Sequence, residues 1–445
     1  MVRHLNCCLK AVFVITSRGW INLRQIIDWY TLKLAIKTFV IVLQYALFPV
    51  FIYHFVISMF GWFKRKEVDA DKFAPVNSFA LVVAAHNEEK VVGNIVRNLK
   101  SLNYPSDMYD IYVIADNCTD RTAEVAEANG AKVYKRSSGE KKGKGYALEW
   151  MFEKIFKMEK RYDAVCVFDA DNLVSPDFLK IMNKHLCMGH KIIQGYLDSK
   201  NPADSVISGS YAITYWLNNR LYQLPRYYLG LSCAIGGTGF VVATDVLEKI
   251  GWGATCLTED LEFTIKLVLK DMKVYWAHDA VVYDEKPLTL KQSWRQRKRW
   301  MQGQADCACR YFKSLIRKAI KDRSMVAFDC ALYLIQPAII VISGICLLAN
   351  FLKFVLFYDF STIMKASSIV SVLTTLVTTY ISGVFVFMEG KISPKLLCYF
   401  ALFPFYNLTW IPIIVQGFIC KDDKEWIHTV HTRSIDIQEI NNKIN

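Results

Sequence analysis

Hydrophobic and polar positions divide this chain into one wholly apolar segment, a long alternating middle and three further uncharged stretches. Thr38 to Phe63 is almost entirely apolar, interrupted by Pro49 and His54, and it ends at Lys64-Arg65-Lys66. A run of roughly 20 apolar residues crosses a bilayer core, so this segment predicts a transmembrane helix whose basic carboxyl end faces the cytoplasm. It is too long, starts too late and lacks the small-residue cleavage site of a signal peptide. Residues 1–37 mix basic and aromatic side chains and read as an interfacial or weakly ordered arm.

From Phe73 to Arg299 the pattern changes to short apolar runs separated by helical periodicity. Phe79–Ala85, Ile111–Ala115, Ala164–Phe168, Ile192–Gln194 and Lys273–Ala277 are strand candidates, and Glu89–Leu102, Arg121–Asn129, Tyr146–Lys157 and Leu261–Lys270 are helix candidates. Such alternation predicts an α/β domain with a mostly parallel sheet covered by helices on both faces, and ligands at the carboxyl ends of the strands.

Cys330–Leu352, Ala366–Met388 and Leu396–Cys420 carry no charge, and each is long enough to span a bilayer. Lys391 and Lys395 favour a cytoplasmic connection after the second, while Lys421, Lys424 and Arg433 favour a cytoplasmic tail, which three crossings would not give. Pro404 and Pro412 reconcile the two signals if they break the third stretch into a kinked or re-entrant element. The pattern thus predicts three or four spans. It divides the chain into an arm and helix at 1–63, an α/β domain at 64–300, basic interfacial helices at 301–328, a membrane region at 329–420 and a tail at 421–445.

Composition agrees. The chain is 53% hydrophobic over 445 residues, above the roughly 45–50% of soluble proteins. Its net charge is +13. Between Lys291 and Arg323 eleven Lys or Arg face only Asp306 and Asp322, a juxtamembrane cluster that suits anionic headgroups and phosphorylated substrates. No nucleic-acid-binding signature competes with that reading. The 13 cysteines are scattered, without metal-knuckle or redox spacing, and read as reduced thiols.

Polar motifs fall where the predicted strands end. Ala85-His86-Asn87-Glu88-Glu89 is either a dipole-complementing helix start or a ligand loop. Asp116-Asn117-Cys118-Thr119-Asp120 offers polar groups for a nucleoside, or a plain Asx turn. Gly143-Lys144-Gly145 is too short for a P-loop yet places a lysine at the same edge. Asp169-Ala170-Asp171 sets two carboxylates at i and i+2, a spacing that lets them share Mg²⁺ or Mn²⁺ with substrate oxygens. Thr258-Glu259-Asp260 opens a helix with Thr258 as its N-cap, and leaves Asp260 placed as a general base. Gln296-Arg297-Lys298-Arg299-Trp300 combines guanidinium groups for a diphosphate with an indole for a sugar ring.

In this order, with membrane helices following, the DxD, TED and QxxRW motifs resemble the processive branch of the family 2 glycosyltransferases, the group of cellulose, hyaluronan and poly-N-acetylglucosamine synthases. The resemblance covers about 73–300 and the flanking spans. It implies a GT-A fold, a nucleotide-sugar donor that is usually uridine-linked, and Mg²⁺ or Mn²⁺. On the matching positions Asn87, Glu88 and Asp116 contact the nucleoside with Lys144 nearby. Asp169 and Asp171 orient donor and metal, and Asp260 is the base. Gly237 and Thr238, in Gly236-Gly237-Thr238-Gly239, lie beside the acceptor with Glu259, and Gln296 and Trp300 bind it. Arg299, supported by Arg297, holds the diphosphate. The tail sequence Trp426 to Arg433 looks loosely like the segment that covers bound donor.

These expectations describe a multi-pass enzyme of the cell membrane with a cytoplasmic catalytic domain. It would transfer sugars from a UDP-sugar, with inversion, to a growing β-linked polysaccharide and extrude the product through its own spans, with accessory membrane proteins as further partners. The alternatives are a non-processive transferase acting on a lipid acceptor, and a non-catalytic membrane component that only senses nucleotides.

Overall fold

The computed structural model describes residues 13–16, 19–253, 255–357, 383–384, 389, 393–423, 435, 437 and 439. The chain divides into two units, Met1–Phe55 with Ile339–Lys365, and Val56–Ala338 with Ala366–Asn445. The first contains the hairpin of β1 (Phe13–Thr16) and β2 (Gly19–Asn22) and most of helix α1 (Leu23–Met59). Among the described residues, three helical stretches are long and apolar enough to cross a membrane: Ile41–Met59, Met325–Cys346 and Pro394–Ile419.

The second unit is built on an eight-stranded sheet. Its strands are β3 (Phe79–Ala85), β4 (Tyr109–Asp116), β5 (Lys132–Arg136), β6 (Ala164–Asp169), β7 (Leu173–Val174), β8 (Ile192–Ser199), β9 (Phe240–Ala243) and β10 (Tyr275–Asp284), in the order β5-β4-β3-β6-β9-β8-β10-β7. Pairings β4–β5, β3–β4, β3–β6 and β8–β10 are parallel. Pairings β6–β9, β8–β9 and β7–β10 are antiparallel.

Strand periodicity sends alternate residues to opposite faces. Ala80, Val82, Val165 and Val167 join one core with Leu148 and Met151 of α4 (Lys144–Ile155) and Tyr211 and Trp216 of α6 (Val206–Asn218). Phe79, Leu81, Val83 and Phe168 join the other with Ile95 and Leu99 of α2 (Val92–Lys100) and Phe178 and Met182 of α5 (Phe178–Cys187). Ala84 pairs with Asp169 and Ala85 with Ala115, so β3, β4 and β6 end level, and Ser199 pairs with Asp284 at the same edge. That edge gathers the polar loops.

All five expected strands form, Phe79–Ala85 with the expected ends and the other four with shifted ones. The last starts at Tyr275 and continues past a bulge between Ala277 and Val281 to Asp284. Three strands of this sheet lacked a sequence signal: β5 is an edge strand reading Lys-Val-Tyr-Lys-Arg, without alternation, and β7 and β9 have two and four residues. The helix expected from Glu89 begins at Val92, because Val91 and Val92 donate back to the Glu88 carbonyl and leave both glutamates in the loop.

After α7 (Leu224–Tyr228), α8 (Thr244–Ile250) and α9 (Glu259–Leu269), helix α10 (Leu290–Lys321) runs unbroken through 32 residues. A reciprocal cap between Thr289 and Gln292 starts it. The first turns of α11 (Met325–Phe357) are tied to α7 by a buried fork: Arg226 Nε and Nη2 donate to Asp329 Oδ2 and Oδ1 at 2.7 and 2.9 Å. Only such two-point geometry offsets desolvating both charges.

The third apolar stretch breaks at Thr409, between α12 (Pro394–Leu408) and α13 (Trp410–Ile419). Pro404 sits within α12. Pro412 lacks the N–H that would bond Leu408, and that accounts for the break. Helix α12 packs Leu396, Phe403 and Tyr406 into the core around Tyr211. Helix α13 lies against α10, where Trp294 Nε1 donates to Gln416 Oε1 at 2.8 Å and Gln302 Nε2 to the Cys420 carbonyl at 2.7 Å. A Cβ on Gly417 would stand 2.4 Å from Met301 Cβ, so glycine sets this close approach. Most of Ala366–Met388 and the whole of Trp426–Arg433 lie outside the described residues.

Candidate active site

Two loops at the carboxyl ends of β3 and β4 are stapled together. Asn87 and Asn117 adopt φ of 55° and 52°, a conformation that asparagine tolerates better than most residues. Asn87 Oδ1 accepts from the Thr119 amide at 2.8 Å, and the Glu88 amide donates to Thr122 Oγ1 at 2.8 Å. Glu88 and Asp116 are buried. Asp116 Oδ1 accepts from Arg136 Nη1 at 2.5 Å and from Asn117 Nδ2 at 2.9 Å. Arg136 was not foreseen, because β5 itself was not. Its position opposite Asp116 in the β4–β5 register would have identified it.

Next along the edge, the Lys144 ammonium donates to Asp169 Oδ1 and, at 2.8 Å, to the Gly237 carbonyl. Lysine thereby joins the DxD loop to the glycine loop. Asp169 is 38% exposed by its side chain, while Asp171 is buried and accepts the Glu285 amide at 2.9 Å on Oδ2. The Asp169 amide donates to Thr238 Oγ1 at 3.1 Å, and that buried hydroxyl bonds Asn172 Oδ1. Asp284, also missed in the sequence, closes the group from β10. Burial pushes its carboxyl up to about 6, Asp171 and Asp169 add to the rise, and Lys286 opposes it.

These carboxylates are hard oxygen donors, the type that Mg²⁺ and Mn²⁺ select when substrate oxygens complete the shell. Among the described residues no three His, Cys, Asp or Glu side chains already converge as a cation cage. Asp169, at the end of β6, and Asp171 offer oxygen donors of that type.

Gly237, at φ 81°, comes close enough that a Cβ there would stand 3.3 Å from Asp260 Oδ2. Asp260 Oδ1 accepts the Leu261 amide at 2.8 Å, the first turn of α9. Asp260 and Glu259 keep some exposure but are crowded by protein atoms. Burial raises the Asp260 carboxyl above its ordinary range, against the Leu261 amide and the charges of Lys144 and Arg299. Burial and then Asp260 push Glu259 up to about 7. Thr258 holds the N-cap position, but its side chain makes no capping bond, contrary to expectation. It is turned instead against Gly303 of α10, where a Cβ would meet Oγ1 at 2.4 Å.

Helix periodicity sorts the Gln-Arg-Lys-Arg-Trp segment. Gln296, Arg299 and Trp300, at i, i+3 and i+4, share one side of α10. Gln296 Oε1 and Arg299 Nε, and likewise Nε and Nη2 of Arg297, are buried without a hydrogen-bond partner among the described residues. The Trp300 ring meets Tyr211 edge-on at 6.0 Å. Arg297 does not support Arg299. It is fully buried, donates from Nη1 to Thr409 Oγ1 at 2.9 Å, and lies 4.4 and 4.9 Å from the Tyr406 and Trp410 rings. One position along a helix turns a side chain by about 100°, so the neighbouring arginines serve different surroundings.

A sequence profile described as "Glycosyltransferase like family 2" matches residues 75–303. The beta-monoglucosyldiacylglycerol synthase of Synechocystis is 30% identical over 245 residues, 52% of this chain and 48% of that protein. The poly-beta-1,6-N-acetyl-D-glucosamine synthase of Staphylococcus epidermidis is 24% identical over 336 residues, 72% of this chain and 80% of that protein. The chain spans about half the length of the first of these relatives. The mannosyltransferase PcManGT of Pyrobaculum calidifontis, solved with GDP-Man and Mn²⁺, superposes with a TM-score of 0.57 at 15% identity, covering 88% of this chain and 100% of that one. This likeness shows the fold.

Proposed function

The chain belongs to glycosyltransferase family 2, and from that premise we propose that it is a membrane-embedded inverting enzyme that transfers sugars from a UDP-sugar to a growing β-linked polysaccharide. One observation carries the reading. Asp260 stands against Gly237, under the charges of Lys144 and Arg299, with its carboxyl raised by burial. A base needs a pKa near working pH and a place beside the acceptor hydroxyl. Asp260 removes the hydroxyl proton, and the oxygen attacks the anomeric carbon from the face opposite the nucleotide, so an α-linked donor gives a β-linked product. Arg299 faces the negative charge that develops on the departing diphosphate. Asn87, Glu88 and Asp116 hold the nucleoside, and Gln296 and Trp300 hold the acceptor's end sugar, with Thr238 and Glu259 beside it. Asp169 and Asp171 would hold Mg²⁺ or Mn²⁺, which supplies electrostatic stabilisation of the leaving diphosphate.

Lys64-Arg65-Lys66 after the first apolar helix supports a cytoplasmic catalytic domain in this reading. A second reading, transfer of one sugar to a lipid acceptor, is favoured by the 30% identity to a monoglucosyldiacylglycerol synthase. Incubating membranes that carry the chain with labelled UDP-sugars and Mg²⁺ or Mn²⁺ tests both. Long water-soluble or extruded product supports the polysaccharide reading, a single labelled glycolipid supports the second, and no incorporation from any UDP-sugar overturns both.

A further inference from the structure

We propose that Cys256 and Cys307 form a redox-sensitive pair that switches the transferase off, by tying the segment ahead of α9 to α10 through a disulfide. This rests on Asp260 being the base and adds the control of that site.

Gly303, Cys307 and Tyr311 stand at i, i+4 and i+8 and make a stripe along one side of α10. The segment from Cys256 to Glu262 lies along that stripe. Thr258 sits over Gly303, Cys256 Sγ lies 3.5 Å from Cys307 Sγ, and the Tyr311 hydroxyl donates to Glu262 Oε1 at 2.7 Å. Cys256 Sγ also donates to the Thr258 carbonyl at 3.1 Å, the same carbonyl that accepts the Glu262 amide at 3.0 Å as α9 begins. The pair therefore touches the turn that carries Asp260.

Exposure sets the order of reaction. Cys307 is buried and Cys256 half-buried. Its hydrogen bond with Cys256, and then burial, push the Cys307 thiol up, so Cys256 is the thiol that meets an oxidant. With a peroxide, the Cys256 sulfur forms an S–O bond as the O–O bond breaks, leaving a sulfenic acid and one water. The Cys307 sulfur then forms the S–S bond as the S–O bond breaks, and its proton leaves with the hydroxide as a second water. Two thiols lose two electrons and two protons, and hydrogen peroxide becomes two waters.

Closing the pair to the roughly 2.05 Å of a disulfide brings the sulfurs about 1.5 Å nearer. Helix α10 is held on another side by α13 through Met301 and Gln302, so the approach falls on the turn. Cys256 loses the S–H that bonded the Thr258 carbonyl, and Thr258 has no free space towards Gly303. Asp260, two residues on, is displaced with it. A misplacement of about 1 Å costs about a hundredfold in rate. Exchange with a dithiol reverses the bond.

The test uses the full chain in lipid nanodiscs, with transfer from a labelled UDP-sugar read before and after brief treatment with hydrogen peroxide and again after dithiothreitol. Turnover is expected to fall by about a hundredfold with UDP affinity little changed, and dithiothreitol restores it. Mass spectrometry of unreduced digests should show a peptide linking Cys256 to Cys307. Cys307→Ser keeps the size of the side chain, so its basal turnover stays and peroxide no longer lowers it. Absence of the linked peptide in an active, peroxide-treated wild type, or its formation at full turnover, overturns the inference and leaves the transferase reading standing. A Cys307→Ser chain as sensitive as wild type does the same. No incorporation from any UDP-sugar by the reduced wild type overturns the transferase reading itself, and the inference falls with it.

Discussion

Gly303 of α10 lies directly under Thr258 at the start of α9, where an added Cβ would stand 2.4 Å from the threonine hydroxyl and 2.8 Å from its backbone nitrogen. The backbone nitrogen cannot move aside as a side-chain tip can. Gly303→Ala is therefore expected to displace Asp260 and lower turnover by about a hundredfold, the cost of roughly an ångström of misplacement. Thr258→Ala in the same chain should restore only part of the loss. Turnover of the two variants checks this; full activity in Gly303→Ala would mean that the turn yields freely.

Asp260→Asn keeps the size of the side chain and its bond from the Leu261 amide but removes the basic oxygen. Turnover is expected to fall by about 10²–10⁴-fold with UDP affinity little changed. Radiolabel incorporation read beside UDP binding decides the matter, and comparable losses in both would point to a binding role instead.

Glu259 has an ordinary value of 4.5 and is pushed up to about 7 in the folded chain. Between those values the native state binds the proton more tightly than the unfolded chain does, so this group's contribution to stability is present at low pH and is lost as pH rises through 7. Thermal unfolding of wild type and Glu259→Gln across that window should show a fall with rising pH that the glutamine variant flattens. Parallel curves would assign the slope to other groups.

Arg297 and Arg299 should separate cleanly. Arg297→Leu removes the bond to Thr409 and the contacts with Tyr406 and Trp410, so it is expected to lower the melting temperature by several degrees, on the order of 2–4 °C per kcal/mol, with UDP affinity retained. Arg299→Leu should cost about 10²–10³-fold in turnover, as removal of a charge-stabilising donor does. An Arg297→Leu chain of normal stability that no longer binds UDP would reverse the assignment.

Trp300→Ala should raise the acceptor's KM or shorten the product, while UDP binding stays near wild type. Product sizing on a gel checks it, and unchanged chain length would remove Trp300 from the acceptor site.

Much of the fold and the order of its motifs was legible in the sequence, because apolar runs such as Phe79–Ala85 bury both faces and leave no other reading. Arg136 and Asp284 were not legible. The first sits on a short edge strand, Lys-Val-Tyr-Lys-Arg, whose polar and apolar residues do not alternate, and the second lies beyond a bulge that disrupts the period of β10. Thr258 and Arg297 were read by local rules, capping for one and charge for the other. Both are claimed by distant elements, Gly303 and Thr409, that no local pattern announces. The tail at Trp426–Arg433 stays an expectation. Beyond it, Ile435 packs with Leu173 and Tyr283 beside the DxD loop.

Residues 301, 302 and 303 of α10 are gripped in succession from two directions: Met301 and Gln302 by Gly417 of α13 and Cys420 just after it, and Gly303 by Thr258. The helix works like a bolt seated between two plates. Sliding or rolling it would drag Thr258 and helix α13 together, so the seat of α13 fixes where the first turn of α9, with Asp260, stands.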